Sequence, residues 1–175
     1  MQYSRPPGSR ANDHANSKEF EAVVGEALGT FKIDQTSAND RLDFWVPGCF
    51  VEVKEKRQPI SNKWPLPDCP VEDAFILDEL TVRRAMLQYP FVWFVLRDVP
   101  GDRIFLASIA EIICADRVRV NRVGPAPQHV AKGKWVVNLG QFTQLDNLSD
   151  VLPTMLAGAV ALPWTNSACL IPTDF

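Results

Sequence analysis

The sequence predicts an α/β or α+β sandwich, with a mixed central β-sheet flanked by helices. Three observations carry that expectation. Apolar residues recur at helical spacing in residues 17–28 and 71–88, whereas residues 42–56, 91–98 and 135–139 are runs of β-branched and aromatic residues. The two kinds of segment alternate along the chain, and strands interleaved with helices pack as layers around a mostly apolar sheet. Finally, 175 residues with 46% hydrophobic and 22% charged side chains suffice for one domain with a real core.

Residues 1–16, MQYSRPPGSRANDHAN, hold almost nothing apolar and read as a flexible arm ahead of a single domain over 17–175. Ser17 is placed to cap a helix reaching Leu28, with Phe20, Val23, Val24, Ala27 and Leu28 on one stripe; Gly29 stops it. TFKID at 30–34 reads as a short strand before the polar loop QTSANDR. LDFWVPGCFVEVKEK at 42–56 reads as two strands joined at Pro47-Gly48. Residues 57–70, with four prolines, form an irregular connection, and a helix over 71–88 should end before Pro90. FVWFVLRD at 91–98 is a strand buried on both faces; a turn at Pro100-Gly101-Asp102 leads to strand RIFLA and a short helix around SIAEIICA. Residues 117–134 are basic and turn-rich, and WVVNL at 135–139 is the last strand. Residues 148–162 are helical, broken by Pro153 and Pro163.

Composition excludes some functions. The longest uncharged apolar run, MLAGAVAL at 155–162, falls well short of the roughly 20 residues that cross a bilayer, and the N-terminus is polar, so no membrane span or signal peptide is expected. Cys49, Cys69, Cys114 and Cys169 lie far apart with no C-x-x-C pair, and only His14 and His129 could supplement them. That argues against a zinc site or disulfides and for a cytoplasmic setting. A net charge of −3 neither announces nor excludes a nucleic-acid binder, which needs only a local basic patch.

The hairpin at 42–56 carries charges where a core strand should not. With Pro47 and Gly48 at the turn, Val46 pairs with Cys49 and, counting outward, Asp43 pairs with Glu52. Opposed carboxylates sit about 5 Å apart at Cβ and repel unless something positive lies between them. Lys54, two residues beyond Glu52, projects to the same face. A hard divalent cation prefers one or two carboxylates plus waters, and a nearby ammonium can orient one water, so the patch suits metal-assisted hydrolysis. The other reading is a surface ion pair between Glu52 and Lys54 on a half-exposed hairpin. The alternation of FVEVKEK, with Val51 and Val53 on one face and Glu52, Lys54 and Lys56 on the other, favours the first.

Asp43, eight intervening residues, then Glu52-Val53-Lys54, with an acidic helix upstream, resembles the P-D-(D/E)-x-K nuclease superfamily. That superfamily includes phage and archaeal Holliday junction resolvases and restriction-type endonucleases. The resemblance covers residues 17–107, leaving 108–175 as a C-terminal extension, and implies a restriction-endonuclease-like core. It also implies Mg²⁺ or Mn²⁺ held by Asp43, Glu52 and the Val53 carbonyl, with Lys54 positioning the attacking water. Leu42 stands where the name-giving proline would be, and the segment 71–88 lacks a Q-x-x-x-Y pattern. The family's helix glutamate is best matched by Glu21: at about 100° per residue it falls beside Leu28 at the edge of the apolar stripe, whereas Glu19 and Glu26 point away. The implied activity is a divalent-metal-dependent DNA endonuclease leaving 5′-phosphates, with branched DNA as first substrate and a homodimer as the acting form. A nuclease of linear or single-stranded DNA, and a non-catalytic binding module on the same fold, are the alternatives.

Further basic residues have two readings each. Asp78-Glu79 and Arg83-Arg84 can form i,i+4 pairs on a solvated helix face, or an arginine can touch a phosphate. Lys56, Arg57 and Lys63 follow the hairpin and can line a DNA groove. Arg117, Arg119, Arg122, Lys132 and Lys134 form a second basic surface or an ordinary charged face. Trp64 can stack on a base or pack into its loop.

Overall fold

The computed structural model describes residues 9–28, 34–35, 42–46, 48–60, 64, 66–123 and 131–161. Among the described residues the first element is helix α1, Ser9–Ala27, followed by strands β1 (Asp34–Gln35), β2 (Phe44–Val46) and β3 (Cys49–Lys56). A 3₁₀ turn, Val71–Asp73, leads into β4 (Ala74–Asp78) and α2 (Glu79–Met86). Then come β5 (Val92–Asp98), β6 (Arg103–Ser108), α3 (Ile109–Cys114), β7 (Arg117–Val123), β8 (Ala131–Asn138), β9 (Thr143–Leu145) and α4 (Val151–Ala161).

A six-stranded mixed sheet in the order β1-β2-β3-β5-β6-β9 forms the centre. Only β3 and β5 run parallel, so the chain between them must cross over, and it does so through β4 and α2. On one face α1 lays Phe20, Val24 and Leu28, and α4 lays Val151, Leu152 and Met155, against Val51, Val53, Val95 and Leu106 of the sheet. On the other face Phe94 and Leu96 of β5 pack with Phe75 and Leu77 of β4, Val137 of β8, Val82 and Ala85 of α2, and Ile109 and Ile112 of α3. The expected mixed sheet between helices is therefore present. The second face is also covered by a smaller antiparallel sheet, β4-β8-β7.

The strand pairing corrects three expectations, two of them in that smaller sheet. The helix expected over 71–88 begins only at Glu79, because Ala74–Asp78 pairs in register with Asn138–Lys134 and buries Phe75 and Leu77. Residues 117–123 and 131–137 pair as antiparallel strands, since Arg117-Val118-Arg119-Val120 alternates with period two, and residues 124–130 lie outside the described residues. β8 is followed by one more strand, β9, against β6. Two helices also differ. α1 starts at Ser9, so the Ser17 hydroxyl, no longer at a cap, donates to Glu21 Oε1 at 2.9 Å. Pro153 does not break α4, because it lies in the first turn, where backbone N–H groups have no intrahelical acceptor. Residues 1–8, most of TFKID, the loop 36–41, Pro47, Lys63, His129, Pro163 and Cys169 lie outside the described residues. No helix among the described residues is long and apolar enough to cross a membrane.

The crossover is pinned by buried charge. Lys56 Nζ donates to the carbonyls of Glu72 (2.8 Å) and Ala74 (3.1 Å) and pairs with Asp98 Oδ1 at 2.8 Å. Arg103 bridges Asp98 and Asp73, each at 2.6 Å. The start of β4 is thereby tied to the ends of β3, β5 and β6.

Candidate functional site

The site forms where β2 parts from β3. Gly48, at a φ of 92°, turns the hairpin in the left-handed region that favours glycine, and the register is the expected one: Val46 with Cys49, Trp45 with Phe50, Phe44 with Val51. One step further the chain bends at Asp43 and the backbone ladder stops. Val53, whose N–H and C=O point toward the missing strand, is left without a backbone partner on that side. Asp43 replaces it: its Oδ2 accepts the Val53 N–H at 2.6 Å. Lys54 Nζ donates to the Val53 carbonyl at 3.2 Å and forms an ion pair with Glu52 Oε1. Asp43, Glu52, the Val53 carbonyl and Lys54 are thus gathered around one backbone gap.

Glu52 is only 3% exposed. Burial pushes its carboxyl up to about 7, with the Asp43 and Glu21 charges adding to the effect and Lys54 opposing it. Asp43 is raised too, again chiefly by burial, against the pull of Lys54 and the Val53 N–H. For Lys54, burial favours the neutral amine, but Glu52, Asp43 and Asp78 together outweigh it and its ammonium holds its proton more tightly than a free lysine. Two carboxylates that resist ionising side by side mark a place short of positive charge.

On α1, Glu21 is buried while Glu19 and Glu26 are exposed, as the helical geometry predicts. Its carboxylate accepts from Ser17 and from Lys18 Nζ at 2.6 Å, and its charge is felt at both Asp43 and Glu52. The donor set of the gap, two carboxylates and a carbonyl, is all oxygen and fits a hard divalent cation. Among the described residues no group of three or more His, Cys, Asp or Glu side chains is arranged as a ready cation cage, so the fit rests on the Asp43–Glu52 pair.

The basic candidates divide. Lys56 is 8% exposed and its ammonium is engaged by two carbonyls and Asp98, which leaves no donor for a phosphate. Arg57 pairs with Glu55. Arg83 donates to Glu79 Oε1 at 2.6 Å, and Arg119 takes Glu79 Oε2 at 2.8 Å, so one carboxylate joins α2 to β7. Arg84 is exposed and forms no ion pair among the described residues. Arg117 lies over the Trp135 ring, 4.4 Å from its centroid, and donates to the Ile113 and Ala115 carbonyls. Lys134 pairs with Asp78. The side chains of Arg122 and Lys132 lie outside the described residues. Trp64 packs against Ile60, Leu66, Ala74 and Val136.

Sequence reasoning missed Lys18 and Asp78 as neighbours of the gap. Lys18 could have been found as the i,i+3 partner of Glu21. Asp78 could not, because only the β4 strand brings it near Lys54.

No protein-family model matches the chain. No curated protein matches it either. Among solved structures, a nuclease from a fusselovirus superposes with a TM-score of 0.44 at 10% sequence identity, covering 90% of this chain and 99% of that one.

Proposed function

We propose that the protein is a divalent-metal-dependent deoxyribonuclease that hydrolyses DNA phosphodiester bonds at the Asp43–Glu52–Lys54 gap. The observation that carries this reading is the backbone gap itself. There Asp43 replaces a missing strand partner, and Lys54 bridges the Val53 carbonyl and Glu52. Mg²⁺ or Mn²⁺ would be held by Asp43 and Glu52 with the Val53 carbonyl, and when bound it supplies Lewis-acid charge to the phosphoryl oxygens. Lys54, hydrogen-bonded to the Val53 carbonyl and paired with Glu52, would hold the attacking water and offset the charge that builds on the phosphoryl group. Glu21, which accepts from Ser17 and Lys18, would hold a further water or a second cation.

Branched DNA cut by a dimer is the substrate and form that the family resemblance suggests. The test is cleavage of a labelled four-way junction beside matched linear duplex and single strands, with Mg²⁺ or Mn²⁺, by the wild type and Lys54→Ala. Paired nicks in the junction, lost in the variant, are expected of a resolvase. Equal cutting of all substrates would keep the nuclease and drop the junction preference. The second reading, a non-catalytic binding module, is favoured by one observation: Lys54 already occupies both Glu52 and the Val53 carbonyl. If the wild type cut nothing in either metal, that reading would replace the first.

A further inference from the structure

Glu21 has only 9% of its side chain exposed, and both of its oxygens are engaged from within α1. The Ser17 hydroxyl donates to Oε1 at 2.9 Å and the Lys18 ammonium to Oε2 at 2.6 Å. An i,i+3 pair between two exposed side chains contributes little. Here the carboxylate is buried, and a buried charge without a partner is costly, so the ammonium has a charge to compensate.

The helix aims this pair at the gap. α1 approaches β2 at Gly25, where a Cβ would lie 3.2 Å from the Phe44 ring. Glu21 and Lys18 precede Gly25 by four and seven residues, and at about 100° per residue the three share one stripe of the helix. Asp43 is the neighbour of Phe44 in the chain. The Glu21 charge accordingly acts on both Asp43 and Glu52, and the Lys18 charge on Asp43.

The gap and its helix thus gather three carboxylates, Glu21, Asp43 and Glu52, against two ammonium groups, Lys18 and Lys54. A divalent cation bound to those carboxylates would bring two further positive charges and repel both lysines. Lys54 is held twice, by Glu52 and by the Val53 carbonyl, and its side chain is 29% exposed. Lys18 is held by one carboxylate oxygen, and its side chain is 48% exposed. Lys18 is therefore the one that can leave at small cost, by turning into solvent.

We propose that Lys18 is a positioning residue and a displaceable counter-ion: it holds Glu21 in the metal-free protein and yields that carboxylate to a divalent cation. The inference rests on the nuclease reading and deepens it, since Glu21 becomes a ligand released by the cation that it binds.

The test is calorimetric titration of the protein with Mn²⁺ alone. Lys18→Met keeps the apolar stem, removes the competitor, and should tighten Mn²⁺ binding about fivefold or more. Lys18→Arg keeps the charge and should stay within about twofold of wild type. In a Glu21→Gln background Lys18→Met should change the affinity less than about twofold, because the effect passes through that carboxylate. Melting temperature supplies a second readout: Lys18→Met should melt below wild type in EDTA, and the deficit should close in saturating Mn²⁺. Unchanged affinity in Lys18→Met, with a deficit that persists in Mn²⁺, would overturn the proposal and leave a helix-surface ion pair. So would equal tightening by Lys18→Met and Lys18→Arg, or tightening that survives Glu21→Gln. Binding of Mn²⁺ by neither wild type nor Lys18→Met would overturn the cation itself, and the metal-dependent reading with it.

Discussion

Asp43 serves the fold and the proposed chemistry with different atoms. Oδ2 takes the Val53 N–H that β2 abandons, which leaves Oδ1 for a cation. Asp43→Ala strands that N–H and should destabilise the protein by about 1–3 kcal/mol. Asp43→Asn keeps an acceptor and should stay within about 1 kcal/mol of wild type in urea unfolding, while losing cleavage. Equal destabilisation by the two would mean that the charge, not the hydrogen bond, supports the strand end. Lys56 is the contrasting residue. It shares a face with Glu52 and Lys54 in the sequence pattern, but its ammonium is buried between Asp98 and the start of β4. Removing one member of a buried pair leaves the other uncompensated, although Asp98 keeps Arg103. Lys56→Ala should therefore cost about 3 kcal/mol of stability. If it instead left the unfolding midpoint unchanged and weakened DNA binding, the lysine would belong to the groove after all.

Among the elements, α2 is held to the small sheet by Glu79, and that contact depends on a glycine. A Cβ at Gly133 of β8 would overlap the Glu79 carboxylate, with Arg119 Nη2 only 3.0 Å away. Gly133→Ala should displace Glu79 from Arg119, and its cost should largely vanish in a Glu79→Ala background, a coupling that a double-mutant cycle reads directly. The same carboxylate gives a pH signature. The hydrogen bond from Arg119 first, and that from Arg83, hold Glu79 below the usual range against the opposing effect of burial. A depressed folded value means that the stabilisation is complete above the unfolded value near 4.5 and is lost as pH falls through the folded one. Wild type should thus be more stable than Glu79→Gln at pH 7, and the gap in melting temperature should close in acid. A gap that widened in acid would reverse the assignment.

These elements also show what a sequence can disclose. The β2–β3 hairpin and Glu21 were legible because a turn at Pro47-Gly48 fixes register by counting and a helix fixes faces by angle, both local rules. β4 was not, because AFILD reads equally as strand or helix, and only pairing with β8 some sixty residues later decides it. The fate of Lys56 depends likewise on Asp98, a residue from another strand.

At the scale of the whole molecule, the gap collects charge from three layers: Glu21 and Lys18 from α1, Asp43 and Glu52 from the central sheet, and Asp78 from the small sheet behind it. A cation held there neutralises repulsion between parts that otherwise meet only through the core, so it should stabilise the fold globally and not merely order a loop. By mass action, a ligand at a hundred times its dissociation constant adds about 2.7 kcal/mol. For a chain of this size that corresponds to a rise of about 5–10 °C in melting temperature. Mn²⁺ should produce such a rise in the wild type and in Lys54→Ala, but not in Glu52→Gln, which keeps the shape of the site and loses the charge. Retention of the rise in Lys54→Ala separates binding the cation from using it, since that variant should still lose cleavage. If Mn²⁺ left the wild-type melting temperature unchanged, the carboxylate pair would be structural. DNA binding that falls with salt and ignores Mn²⁺ would then be the activity to expect of the protein.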